Sequence, residues 1–187
     1  VTGVQTCALP ISLHLCSMYV IINDKLVKRE NAVVSAFNRS FRYGDGFFET
    51  MKMIDEKICL SNYHFERMFL SMHELMFQKP NYYSLHFFEE KILSLAKKNG
   101  HEKAARIRLM FFRGDGGLYD AENHFPNYVL ETLPLSNTQT ELNENGLVID
   151  VYPHAKKVCD NFSHIKHNRS EEHTSELQSP CNLVCRL

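Results

Sequence analysis

Residues 42–54 read RYGDGFFETMKMI, and the fold turns on how they are read. Two glycines in three residues flank Asp45, so the backbone must turn sharply there. Beyond the turn the chain alternates with a period of two. Phe48, Thr50 and Lys52 fall on one side; Phe47, Glu49, Met51 and Met53 fall on the other. That predicts a strand over 47–54. Asp55-Glu56 reverses the chain, and residues 57–60 pair back.

Outward from this hairpin the pattern stays α+β. Residues 19–23 (YVIIN) and 25–28 predict two short strands around an Asn-Asp turn, and 33–37 is a further apolar segment. Ser61 suits a helix N-cap. The residues after it carry Phe65, Met68, Phe69, Met72 and Met76 at helical spacing, with a stop at Lys79-Pro80-Asn81. Ser84 can cap a second helix bearing Leu85, Phe88, Ile92 and Leu95, closed by Lys97, Lys98 and Gly100. Residues 104–112 (AARIRLMFF) form the clearest strand, then come a three-glycine loop and a strand over 128–133. Residues 136–146 are polar, and 147–152 (LVIDVY) open another strand. The expected organisation is a small two-layer domain over 18–135 and the truncated start of a second, larger domain over 146–168.

Composition narrows the function. Lys plus Arg is 21 against 22 Asp plus Glu, so charge gives no case for nucleic acid or an anionic membrane as partner. No apolar run approaches the roughly 20 residues of a membrane span. Cys7, Cys16, Cys181 and Cys185 crowd the two ends, leaving only Cys59 and Cys159 between them. That is neither a disulfide framework nor paired CxxC, and it reads as a reducing compartment, hence cytoplasm. Ten histidines show no metal-ligand spacing, so no metal is expected.

Several residues can carry chemistry. Tyr43 and Phe48 flank the glycine turn and could wall a pocket. His64 and Arg67 share a helix face, and a guanidinium there suits a phosphate, although a solvated ion pair is the plainer reading. Arg106 and Arg108 alternate with Ile107 and Leu109, so one strand face either meets water or lines an anion pocket. Arg113 opens the glycine loop. Lys166 is a candidate Schiff-base lysine, on which a single lysine has no weight by itself.

The order RYGDGFFE, hairpin, HFERM on a helix, RIRLMFFRGDGG, strand and IK resembles the class IV (fold type IV) pyridoxal-phosphate aminotransferases. These include branched-chain and D-amino acid aminotransferases and aminodeoxychorismate lyases. The resemblance implies that Lys166 holds pyridoxal phosphate covalently and shuttles protons, and that Arg67 binds its phosphate. It implies that Tyr43 and Phe48 line the substrate pocket, and that Arg108 or Arg113 meets a substrate carboxylate. It further implies a homodimer acting on a branched-chain or similar amino acid, or on aminodeoxychorismate with release of pyruvate. Residues 113–119 (RGDGGLY) lean toward the lyases; the YGDGxFE stretch is shared with the transaminases.

Lys166 is followed by His-Asn where the family has a small hydroxyl residue, then any residue, then Asn. The family's acidic partner of the pyridine nitrogen and its phosphate-cradling turns come after the lysine and have no counterpart here. Residues 1–17 and 169–187 resemble translated sequencing-adapter read-through, and 169–187 shows no helical or strand period that could join a core. This implies a fragment unable to hold the cofactor productively. The alternatives are a folded lid domain or gene fragment without activity, and a small α+β binding module unrelated to the cofactor.

Overall fold

Strand β5 (Ala104–Phe112) runs through the middle of a six-stranded antiparallel sheet. The strand order is β2-β1-β6-β5-β3-β4, with β1 Tyr19–Ile22, β2 Lys25–Lys28, β3 Gly46–Ile54, β4 Lys57–Ile58 and β6 Asn127–Pro134. The computed structural model describes residues 18–117, 119, 121–135, 146, 148–151, 162, 164–168 and 183–186. Expectations for residues 1–17, the loop 136–145 and most of the tail lie outside the described residues.

The alternation in β3 and β5 sorts the sheet into two faces. Register pairs Phe47 with Phe111, Glu49 with Leu109 and Met51 with Ile107, and these residues face the helices. Helix α2 (Ser61–Glu74) contributes Phe65, Met68 and Met72 to that layer, and α3 (Leu85–Asn99) contributes Phe88, Ile92 and Leu95. Full burial of each such side chain stabilises by roughly 1.5–3 kcal/mol. An aromatic cluster fills the centre: Phe47 stacks on Phe111 at 5.2 Å, and Phe88 meets Phe111 edge-on at 5.5 Å.

The caps mix agreement and correction. Ser84 caps α3 by accepting from the Phe87 amide at 3.1 Å, and Gly100 closes it at φ 72°. Ser61, expected as a cap, instead begins α2 after a left-handed Leu60. Helix α2 ends at Glu74, before the Lys-Pro-Asn signal. Met76 takes φ 56°, and the Phe77 amide donates back to Met72 O at 2.8 Å. This is a Schellman-type closure without its usual glycine. It turns Met76, expected in the core, out to solvent.

Residues 39–43, just before the glycine turn, form the short helix α1 (Arg39–Tyr43). Asn38 caps it by accepting from the Ser40 amide, and left-handed Gly44 ends it. The apolar segment 33–37 is no strand; its Val33 and Phe37 are exposed. The tail supplies β8 (Leu183–Arg186), which pairs antiparallel with β7 (Val148–Val151) in a separate two-stranded sheet and adds no strand to the six-stranded one. Leu-Val-Cys is strand-compatible, and β7 is an edge that takes a partner.

Candidate functional site

Glu49 is the carboxylate in the helix-facing row of β3, and it is almost wholly buried. A buried carboxylate needs partners, and α2 supplies them one turn apart. Arg67 grips it with both forks: Nε donates to Oε1 and Nη2 to Oε2, each at 2.7 Å. His64 Nδ1 stands 3.0 Å from Oε2 and 3.2 Å from Arg67 Nη2. A bidentate Arg–carboxylate pair fixes the guanidinium plane as well as its position.

Lys166 comes to the same strand by a different route. Phe48 N–H donates to Lys166 O at 2.9 Å, and Asn168 N–H donates to Gly46 O at 3.0 Å. Phe47 and His167 form an antiparallel bridge, and buried Ile165 anchors the segment to the core. The segment therefore runs along the edge of β3 left open by the short β4. Among the described residues, the Lys166 ammonium has no hydrogen bond or ion pair.

The second sheet face carries Phe48, Thr50 and Lys52 on β3, and Arg106, Arg108 and Met110 on β5. Arg108 stands opposite Glu131 in register but forms no ion pair with it. Its guanidinium instead lies 4.4 Å above the centre of the Phe48 ring, and its Nε is buried without a hydrogen-bond partner among the described residues. Next along the face, Lys52 and Arg106 are direct cross-strand partners, an unfavourable like-charge pairing. Here a cavity of about 370 Å³ opens, lined among others by Thr50, Lys52, Cys59, His64 and Arg106. No carboxylate lines it among the described residues. His64 thus joins the cavity to the Glu49–Arg67 pair.

Arg113 and Tyr43 sit elsewhere. Arg113 is buried; it donates to Asp45 Oδ1 at 2.5 Å and to the carbonyl of Leu75, with its guanidinium over Phe77. Arg39 completes this cluster, donating to Asp45 Oδ2 at 2.8 Å and to Gly117 O at 2.7 Å. The cluster ties the glycine turn, the end of α2 and the loop after β5 together. Half-exposed Tyr43 lies beside it, with the guanidinium carbons of Arg39 and Arg42 5.2 and 5.5 Å from its ring centre.

The structure thus brings Phe48, Arg108 and Lys166 to one end of β3, while Arg67 is held on Glu49 from the helix-facing side of the same strand. Motif and spacing did not single out Glu49, Asp45 or Lys52 as site residues. Glu49 carried a signal, being a lone carboxylate in an apolar row. Among the described residues there is no cluster of three metal ligands, and no helix is long and apolar enough to cross a membrane.

Residues 46–169, about two thirds of the chain, match the family described as Amino-transferase class IV. The chain belongs to that family. Among curated class IV relatives it is 25% identical over 107 residues to D-alanine aminotransferase of Listeria monocytogenes, covering 57% of this chain and 35% of the relative. It is 26% identical over 135 residues to aminodeoxychorismate lyase of Bacillus subtilis, covering 71% of this chain and 45% of the relative. The chain spans a third to under a half of the length of these relatives. Branched-chain aminotransferase from Thermoproteus uzoniensis shares its fold, with a TM-score of 0.72 at 17% identity over 90% of this chain and 58% of that one. The enzyme from Escherichia coli aligns with a TM-score of 0.66 at 21% identity, over 81% and 52% respectively. The antiparallel sheet with helices on one face is therefore the class IV N-terminal architecture.

Proposed function

We propose that this chain is the N-terminal part of a pyridoxal-phosphate-dependent class IV enzyme, and that it turns over no substrate by itself. The observation that carries this reading is the Lys166 segment laid along β3, its amine unpartnered among the described residues, beside a strand whose Glu49 presets Arg67. The residues present fit the cofactor: an amine to bond it, an oriented guanidinium for its phosphate, and an aromatic wall at Phe48.

Bound there, pyridoxal phosphate supplies an electron sink for bonds at the α carbon of an amino acid. This chain's residues do the rest. Lys166 Nζ holds the group and later takes and returns the proton at that carbon. Glu49 orients Arg67, and Arg67 binds phosphate. Phe48 walls the pocket and excludes water, while Tyr43 lies beside the Asp45 cluster against Arg39 and Arg42. Arg108 takes a substrate carboxylate; Arg113, already committed to Asp45 and Leu75, holds the loops instead. In this reading the whole enzyme is a homodimer in the cytoplasm, acting on an amino acid or on aminodeoxychorismate.

The test is an assay of the longer protein that contains this chain, with Lys166→Ala as control. Pyruvate release from aminodeoxychorismate without a keto-acid acceptor marks a lyase. Dependence on 2-oxoglutarate or another acceptor marks a transaminase. Loss of either activity in Lys166→Ala is expected; an unimpaired Lys166→Ala would refute the assignment.

A further inference from the structure

Resting on that reading, we infer that His164 is a positioning residue for Lys166: its ion pair with Glu74, at the end of α2, sets the register in which the lysine segment lies along β3. The imidazole Nε2 of His164 stands 2.6 Å from Glu74 Oε2. The pair joins points 90 residues apart in the chain.

The segment has few other contacts that fix its register. Among the described residues its pairing with β3 is one isolated bridge, Phe47 with His167. Phe48 N–H donates to Lys166 O, and Asn168 N–H donates to Gly46 O. Beyond the lysine, Asn168 Nδ2 also donates to Ser40 Oγ at 2.8 Å. Before the lysine, Ile165 is buried, but apolar burial has no direction and tolerates small shifts. His164 supplies a directed contact on that side, two residues from Lys166. A slip of one residue turns every side chain of a paired segment to the other face. Here it would put a different side chain where Lys166 stands.

Glu74 is poorly placed for α2 itself. It is the last residue of the helix, where the helix dipole disfavours a carboxylate. Cations from outside the helix offset this. His164 meets the carboxylate, and Arg113 donates to the carbonyl of the next residue, Leu75. Arg113 also holds Asp45 in the glycine turn. The end of α2 therefore clamps both segments beside β3: the turn that leads into it and the lysine segment laid along it. The two side chains of the ion pair are 48% and 29% exposed, so it acts with the strength of a surface pair. That strength biases a register without holding the fold.

The experiment uses the longer protein that contains this chain, as wild type, His164→Ala, Glu74→Ala and the exchanged pair Glu74→His/His164→Glu. Amide-resolved hydrogen exchange and reductive trapping of pyridoxal phosphate are measured on each. Both single variants should speed exchange of the Phe48 and Asn168 backbone N–H groups about two- to fivefold, the scale of one such ion pair. They should also lower the label on Lys166, relative to exposed lysines, by up to about fivefold. The exchanged pair should restore both. A Glu74 that mattered only to α2 would instead slow exchange of the Leu75 N–H in Glu74→Ala and leave Phe48 and Asn168 unmoved. That result would overturn the proposal, as would a relative label in His164→Ala equal to wild type, or an exchanged pair no better than the single variants. Normal trapping with unmoved exchange refutes the positioning role alone. The expected exchange pattern without trapping on Lys166 in the wild type keeps the register contact and refutes the cofactor reading.

Discussion

Replacing Arg67 by alanine strips Glu49 of both strong donors while leaving the carboxylate inside. The side chain of Glu49 is 2% exposed, and only His64, 3.0 Å away, remains among the described residues to face it. Breaking a buried pair by removing one member typically costs about 3–5 kcal/mol. The Arg67 side chain is 36% exposed, so water can enter the space it leaves. That puts the expected loss at the low end, about 3 kcal/mol. With a urea m value of about 2 kcal/mol/M, the unfolding midpoint should fall by roughly 1.5 M. The assay is equilibrium unfolding by circular dichroism of the wild type, Arg67→Ala and the double variant Glu49→Leu/Arg67→Leu. Apolar replacement of a whole buried pair is often neutral, so the double variant should regain most of the loss. A single variant within about 0.5 kcal/mol of wild type would refute the reasoning, as would a double variant less stable than the single.

Gly46→Ala should destabilise by about 1–3 kcal/mol, the range for overpacking. The added carbon would press on the Phe111 carbonyl and the Asn168 side-chain Nδ2 closer than real contacts allow. Faster hydrogen exchange of the Asn168 backbone N–H, which bonds Gly46 O, is the readout. His101 is held below the ordinary imidazole value of about 6.5 by burial, with Glu102 opposing. The unfolded chain then binds the proton more readily, so His101 stabilises above about pH 6.5 and this contribution is lost as pH falls below it. Urea midpoints measured from about pH 7.5 down to about pH 5 should decline less steeply in His101→Gln than in wild type; identical slopes would count against this.

Much of the sheet was legible because its alternation is strict. The strand over 104–112 matches β5, and the two rows of β3 face as its period-two pattern indicates. Helix α3 was legible because Ser84 and Gly100 are strong local signals. Helix α2 was misjudged at both ends: Leu60 and Met76 adopt left-handed conformations that their side chains do not advertise, and tertiary burial of Phe77 outweighs the strain. In the site, His64 and Arg67 were visible from helical spacing, but their partner lies 15 and 18 residues earlier on another element. Arg113 and Arg108 looked equivalent in sequence. Only the three-dimensional arrangement puts one on Asp45 and the other over Phe48.

The most direct measurement is reductive trapping. The longer protein that contains this chain is incubated with pyridoxal phosphate, reduced with borohydride, digested, and its modified lysines are quantified by mass spectrometry. Lys166 should be labelled ahead of the exposed lysines at limiting reagent, and Arg67→Ala should lower that label without lowering the others. Label spread over the lysines according to exposure, or unchanged at Lys166 in Arg67→Ala, would contradict a cofactor site built from β3, Arg67 and Lys166.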